Sequence, residues 1–250
     1  MADFYSQIMQ NSGVFLGRTL IQANGSIGGH RYVFVKWQGS GKDGLVFPTV
    51  GGILKNPFKG NAKIYAGDLI EYNPGITDNK GATVKILKTY EVAKADEEGT
   101  GTTVYLVRDG YHHIPFVGDN IMVAPSTIDG TGTGVTITAV EKTTDSGIDV
   151  WKLTVSAALG ELDKGQVLVE AAAVGASQKA MVTNPNAYAP CDFDFIFNPA
   201  ASDDDFEGAR YMMTPCIANE DTKLYISKMS PLPDTIKALN RSRVEGWFNL

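Results

Sequence analysis

The chain has 250 residues, of which 43% are hydrophobic and 20% charged; this excludes wholesale disorder, a coiled coil and a disulfide-stapled miniprotein, and fits one large domain or two modest ones. Twenty-two basic residues against 28 acidic ones leave a net charge of −6, the wrong sign for a protein that gains affinity by neutralising phosphates, so nucleic acid is not an expected partner. Glycine is over-represented at 27 residues without a Gly-X-Y period, which predicts many tight turns and hence many short strands.

The first twelve residues, MADFYSQIMQNS, read as an arm or a single helical turn. VFLGRTLIQANGS and HRYVFVKWQ then read as two strands joined at NGSIGG. After the turn GSGKDG comes the apolar run LVFPTV, and GGILKNPFKG reads as an irregular loop from its Gly and Pro content.

From Gly67 the chain repeats itself. With an offset of 51 residues, GDLIEYNPGITDNKGATVKI at 67–86 lies without a gap on GDNIMVAPSTIDGTGTGVTI at 118–137, with eight identities in 20 positions. The matches fall on turn residues (Gly67/Gly118, Asp68/Asp119, Pro74/Pro125, Asp78/Asp129, Gly81/Gly132) and on apolar positions (Ile70/Ile121, Val84/Val135, Ile86/Ile137). Each copy predicts strand, turn, strand. VKILKTYEVAKA continues the first copy to an acidic tip, DEEGTG, and VTITAVEKT continues the second to the tip TDSG. KGQVLVEA at 164–171 is a third echo, the opening strand of a unit left incomplete.

Past Gly175 the sequence turns rich in Pro, Asn and Asp, with strand-like islands at 193–197 and 223–227. PDTIKALNRSRVEGWFNL ends the chain, with Asp234 as the cap of a short helix from Thr235 to about Arg243 and Gly246 as its stop. The expected organisation is therefore an N-terminal arm and hairpin region (1–60), a tandem-repeat β domain (61–174) and an extended C-terminal segment with a short helix (175–250). The expected fold is mainly β, an antiparallel barrel or sandwich.

Sites of chemistry are scarce. GSGKDG satisfies G-x-G-x-x-G but precedes a strand-like run, so the helix N-terminus that would meet a pyrophosphate is missing. His112 and His113 are adjacent and would point to opposite faces of a strand, one packed and one solvated. Asp203, Asp204 and Asp205, like Asp96, Glu97 and Glu98, are consecutive, whereas calcium loops use alternate residues around a sharp glycine turn. Cys191 and Cys216 form no framework and read as reduced thiols. The expectation is no catalytic residue, no metal and no cofactor. Asp3 and the lack of basic residues before Arg18 argue against a signal peptide, and no uncharged apolar run reaches about 18 residues, so synthesis in the cytoplasm with no membrane partner is expected.

FVGDNIMVAP, GVTITAVEK, WKLTVSAALGELDKGQVLVEAAA and TNPNAYAPCDFDF, in that order over about 115–200, together resemble the head-fibre and head-decoration (auxiliary capsid) proteins of tailed bacteriophages, particularly those of crAss-like phages. The resemblance implies a β-rich, non-enzymatic virion protein on the capsid exterior. Its partners would be the major capsid protein and possible further head proteins or copies of itself, trimers included. With no repetitive stalk, a compact decorating subunit fits better than a projecting fibre.

Attachment is expected where terminal apolar side chains need a partner: Phe4, Tyr5 and Ile8 in the arm, and Trp247, Phe248 and Leu250 after the helix that carries Arg241 and Arg243. The tips around 96–101 and 143–147 are the next candidates. The competing reading is a glycan-binding β module or carbohydrate-active domain with Trp37, Trp151 and Tyr111 as its platform, although large aromatics are more often core residues.

Overall fold

A computed structural model describes residues 52–65, 67–73, 82–110, 112–127, 129–189 and 192–199, together with the shorter pieces 37–38, 212–213, 216–217, 223–225, 229–241 and 247–248. The described chain is mainly β with one short helix, as composition and turn spacing predict. The predicted hairpin over 14–37 and the turn GSGKDG lie outside the described residues, apart from Trp37.

Two larger sheets carry the fold. One runs Thr89–Glu91, Val167–Glu170, Asn120–Val123, Gly132–Asp145, Ile148–Val155, Thr103–Val107, with Gly175–Gln178 added beside Gly132–Asp145. All of its pairings are antiparallel. Its two edge strands meet at a single antiparallel bridge, Val92 with Leu106, where the Ala93 amide donates to the Tyr105 carbonyl at 2.7 Å. The sheet therefore curls around Tyr90, Leu106, Ile121, Ile137, Leu153 and Leu168, all essentially excluded from solvent.

The other sheet runs Met212–Met213, Gly52–Leu54, Thr83–Ile86, Leu69–Asn73, Ala187–Tyr188, Cys216–Ile217 and draws strands from before, within and after the repeat. Its core holds Leu54, Phe58, Ile64, Ile70, Val84 and Ile86. GGILKNPFKG is thus not wholly a loop: Gly52–Leu54 is a strand, parallel to Thr83–Ile86. A side chain at Gly52 would run into the Val84 side chain, so glycine there allows a close approach that local sequence does not reveal.

In each duplicated segment the two described strands pair antiparallel, one pair in each sheet. Leu69–Asn73 pairs with Thr83–Ile86, and Asn120–Val123 with Gly132–Asp145. The register differs by two residues, Ile70 facing Ile86 while Ile121 faces Val135. Side chains alternate with a period of two along a strand, so this slide leaves every apolar position on the buried face.

What opens each unit is a tight turn built from Gly and Asp. The Asp68 amide donates to the Tyr65 carbonyl at 2.9 Å while the Asp68 carboxylate accepts the Tyr65 amide at 2.7 Å. Asp119 does the same with Phe116 at 3.1 and 3.2 Å. In the third echo Gln166 does it with Asp163, at 3.1 and 3.0 Å. Gly67, Gly118 and Gly165 take φ of 86°, 88° and 85°, the left-handed position that the third residue of such a turn requires.

The helix spans Asp234–Arg241. Ile236 packs with Leu232 and Met229 on Leu69, Leu87, Val182 and Tyr188, so the helix is held against this chain's own sheets. No helix among the described residues is long and apolar enough to cross a membrane.

Candidate functional site

The chain passes from one sheet to the other between Thr83–Ile86 and Thr89–Glu91. The sequence VKILKTYEVA reads as one alternating strand, but it breaks at Leu87 and Lys88. Leu87 enters the small core under the helix, and the Lys88 side chain is fully buried in the junction.

A polar cluster gathers around that lysine. Lys88 Nζ lies 3.1 Å from Glu170 Oε1, donates to the Pro57 carbonyl at 3.1 Å and stands 4.8 Å from the centre of the Phe58 ring. The other carboxylate oxygen, Glu170 Oε2, accepts from Asn56 Nδ2 at 2.6 Å. Asn56 also donates to the Ile86 carbonyl at 2.8 Å and accepts the Ile86 amide at 2.9 Å. A loop residue, a sheet-crossing residue and a strand end are thereby tied together, with the Glu170 amide donating to the Lys88 carbonyl at 3.2 Å.

Burial pushes the Glu170 carboxyl above its ordinary value, against the pull of Lys88 and the Asn56 hydrogen bond. Asp119 is raised too, by burial in the first place, although Lys88, the Phe116 amide and Lys59 favour its charged form. Lys59 itself reaches the Gly118 carbonyl. The Tyr90 hydroxyl is pushed well above its usual range by burial, then by Asp119 and Glu170. Asp68 and His113 form a second buried pair nearby, 3.8 Å apart, with the His113 ring edge-tilted against Phe58.

The two neighbouring histidines divide as their alternation predicts for His113, which is packed. His112 is not simply solvated. It is mostly buried and bridges Asp109 at 2.8 Å and Glu91 at 3.2 Å. Burial alone would lower its pKa, but the two carboxylates outweigh it and the net direction is up.

The pH dependence follows from these signs. A raised folded-state pKa gives stability that is complete below the unfolded value and is lost as pH rises through the folded one. His112, Glu170 and Asp119 all shift upward, so for each of them acidification favours the fold. The urea midpoint is expected to rise from about pH 8 to about pH 6, a window in which histidine titrates, and His112→Gln should flatten that rise. A wild-type midpoint that falls over the same interval would contradict the assignment.

A cleft of about 460 Å³ lies apart from the junction, between the helix start (Pro233, Asp234, Thr235, Lys237) and Ser126, Gln166 and Val167. Its two charged residues pair with each other at 2.9 Å. Asp96 is a turn builder: it bridges to Leu162 and accepts the Gly99 amide, leaving Glu97 and Glu98 exposed. Among the described residues, no group of three or more His, Cys, Asp or Glu is placed to hold a metal ion.

Of the expected attachment residues, Phe4, Tyr5, Ile8 and Leu250 lie outside the described residues, as do Arg243, Tyr111, Asp203, Asp204 and Asp205. Trp247 and Phe248 form a two-residue strand, parallel to Lys223–Tyr225, which in turn pairs with Trp37–Gln38. Their backbone is therefore engaged within the chain. Trp151 is buried, and Arg108 and Lys142 approach its ring at 5.6 and 5.4 Å. The 143–147 tip is a tight turn with Ser146 and Gly147 at positive φ and Ile148 exposed beside it.

The residues that build the junction are absent from the expected set. Asp119 carries a local signal, its identity with Asp68 across the repeat, and Lys88 carries one in its phase with Val84, Ile86, Tyr90 and Val92; Asn56 and Glu170 carry none, because their burial depends on how distant strands meet. Comparison with family models, curated proteins and solved structures gives no match to this chain.

Proposed function

We propose that this chain is a virion structural subunit that binds the outer surface of a phage capsid through the major capsid protein, stabilising the shell or anchoring head appendages. The single observation that carries the reading is the exposure of large apolar side chains: Val117 is 55% and Ile196 73% exposed, with Ile114 and Phe197 also accessible. Phe116 and Phe195, their chain neighbours, both pack against Phe58, and the Phe197 amide donates to Asn61, so the chain segments that carry them meet at Phe58. Exposed apolar clusters of this kind mark surfaces that are covered by another protein. The resemblance over about 115–200 supports the same conclusion, since its frame is a pattern of strand starts and turns.

The glycan reading draws less support. Of its three aromatics, Trp151 is covered by two cations and packed in a core, which removes the flat open face that sugar stacking needs.

The test is pelleting with assembled shells of the major capsid protein encoded in the same genome. The full chain should bind saturably, and the double variant Val117→Lys, Ile196→Lys should lose binding while keeping its far-ultraviolet circular dichroism. Deletion of 244–250 distinguishes the terminal segment from this patch as the attachment point. Failure of the full chain to pellet with shells would overturn the reading.

A further inference from the structure

The junction contains an amine, a carboxamide and a carboxyl in one dry site. Each is buried, each is held by hydrogen bonds, and the carboxyl lies between the other two: Glu170 Oε1 is 3.1 Å from Lys88 Nζ and Oε2 is 2.6 Å from Asn56 Nδ2. We propose that Lys88 and Asn56 condense into an intramolecular isopeptide bond, with Glu170 as the proton carrier.

The chemistry needs no outside reagent. Glu170 takes a proton from the Lys88 ammonium, whose Nζ lies 3.1 Å from Oε1. The neutral amine attacks Asn56 Cγ, and the negative charge that develops on Oδ1 is met by the Ile86 amide, already donating to that oxygen at 2.9 Å. Glu170 then returns a proton to Nδ2, the Cγ–Nδ2 bond breaks, and ammonia leaves as the Nζ–Cγ amide forms. In going from ammonium to amide Nζ sheds two protons: the first, carried by Glu170, goes to the leaving nitrogen, and the second passes to Glu170, which ends protonated, so protons and electrons balance with no oxidant or reductant.

Three further features fit. The second Asn56 contact, from Nδ2 to the Ile86 carbonyl at 2.8 Å, fixes the carboxamide plane. Phe58 beneath Nζ and Pro57 beside it exclude water, which would otherwise compete as nucleophile. The raised Glu170 carboxyl suits a group that must both accept and donate a proton. The bond would close the 56–88 loop at the point where the chain changes sheets, removing freedom from the unfolded chain.

Intact-mass measurement of the full chain under denaturing conditions decides the matter. The expected mass is that of the sequence less one ammonia, and trypsin should yield a branched peptide joining 56–59 to 86–94 with no cleavage after Lys88. Glu170→Gln should stay at its full sequence mass, and Asn56→Asp should lose water in place of ammonia. A wild-type chain at full mass and cleaved after Lys88 overturns the proposal, whether or not the variants fold. So does an ammonia loss that maps to cyclisation at Asn24–Gly25. A branched peptide that persists in Glu170→Gln would overturn the role of Glu170. The inference stands apart from the virion reading, because it requires no partner.

Discussion

Relative to a chain whose Lys88–Asn56 amide has not formed, replacing Lys88 with methionine is expected to lower the unfolding free energy by about 3–5 kcal/mol, because it strands a buried carboxylate without its cation. Glu170 would keep only the Asn56 hydrogen bond, and Asp119, whose charge also leans on Lys88, would lose that support. The double variant Lys88→Met, Glu170→Leu should recover most of the loss, since an apolar pair of similar volume is often as stable as a buried ion pair. Urea denaturation of the three proteins measures both. A single variant as stable as the wild type would mean that the junction contributes nothing to holding the two sheets together.

The second large effect lies in the repeat. Ile70→Ala and Ile121→Ala are each expected to cost about 2–5 kcal/mol, the range for truncating a fully buried aliphatic side chain. Both side chains are fully buried at equivalent positions, one in each core. Ile148→Ala, in contrast, should stay within about 0.5 kcal/mol, because that side chain is exposed at a hairpin tip. Thermal or urea unfolding gives the comparison. If Ile121→Ala is neutral while Ile70→Ala is costly, the two copies do not share a structural role.

What was legible in the sequence is what local chemistry determines. The Gly-Asp turns are fixed by one backbone position with positive φ and one side chain reaching three residues back, so the 51-residue offset predicts two of them, and KGQ at 164–166 a third with Gln166 replacing the aspartate. The helix start is likewise nearly local, but Asp234 is the first helical residue and not its cap: the Pro233 carbonyl accepts the Lys237 amide, and the Asp234 carboxylate pairs with the Lys237 side chain.

What escaped is long-range. The parallel pairing of Gly52–Leu54 with Thr83–Ile86 depends on a glycine admitting the Val84 side chain. The break in VKILKTYEVA turns on Lys88, which alternation places in phase with Val84, Ile86, Tyr90 and Val92, opposite to the half-exposed Lys85 that pairs with Glu71; what alternation does not encode is the buried Glu170 that makes a lysine acceptable there. The six-stranded sheet combines strands from all three predicted segments, a pairing that turn spacing does not encode.

The junction also bears on the proposed function. A subunit held on a shell must keep its exposed apolar side chains in fixed positions, and Phe116 and Phe195, which flank Val117 and Ile196, both rest on Phe58, the ring under Lys88.

The proposed place of this chain on the virion exterior is tested most directly by its copy number in purified particles. Quantitative mass spectrometry of virions banded repeatedly in a density gradient should give a fixed integer ratio to the major capsid protein, unchanged from one banding to the next, and protease added outside should remove the chain while the packaged genome stays protected. A ratio that falls towards zero on rebanding, or a chain found only in the unassembled fraction, would contradict it.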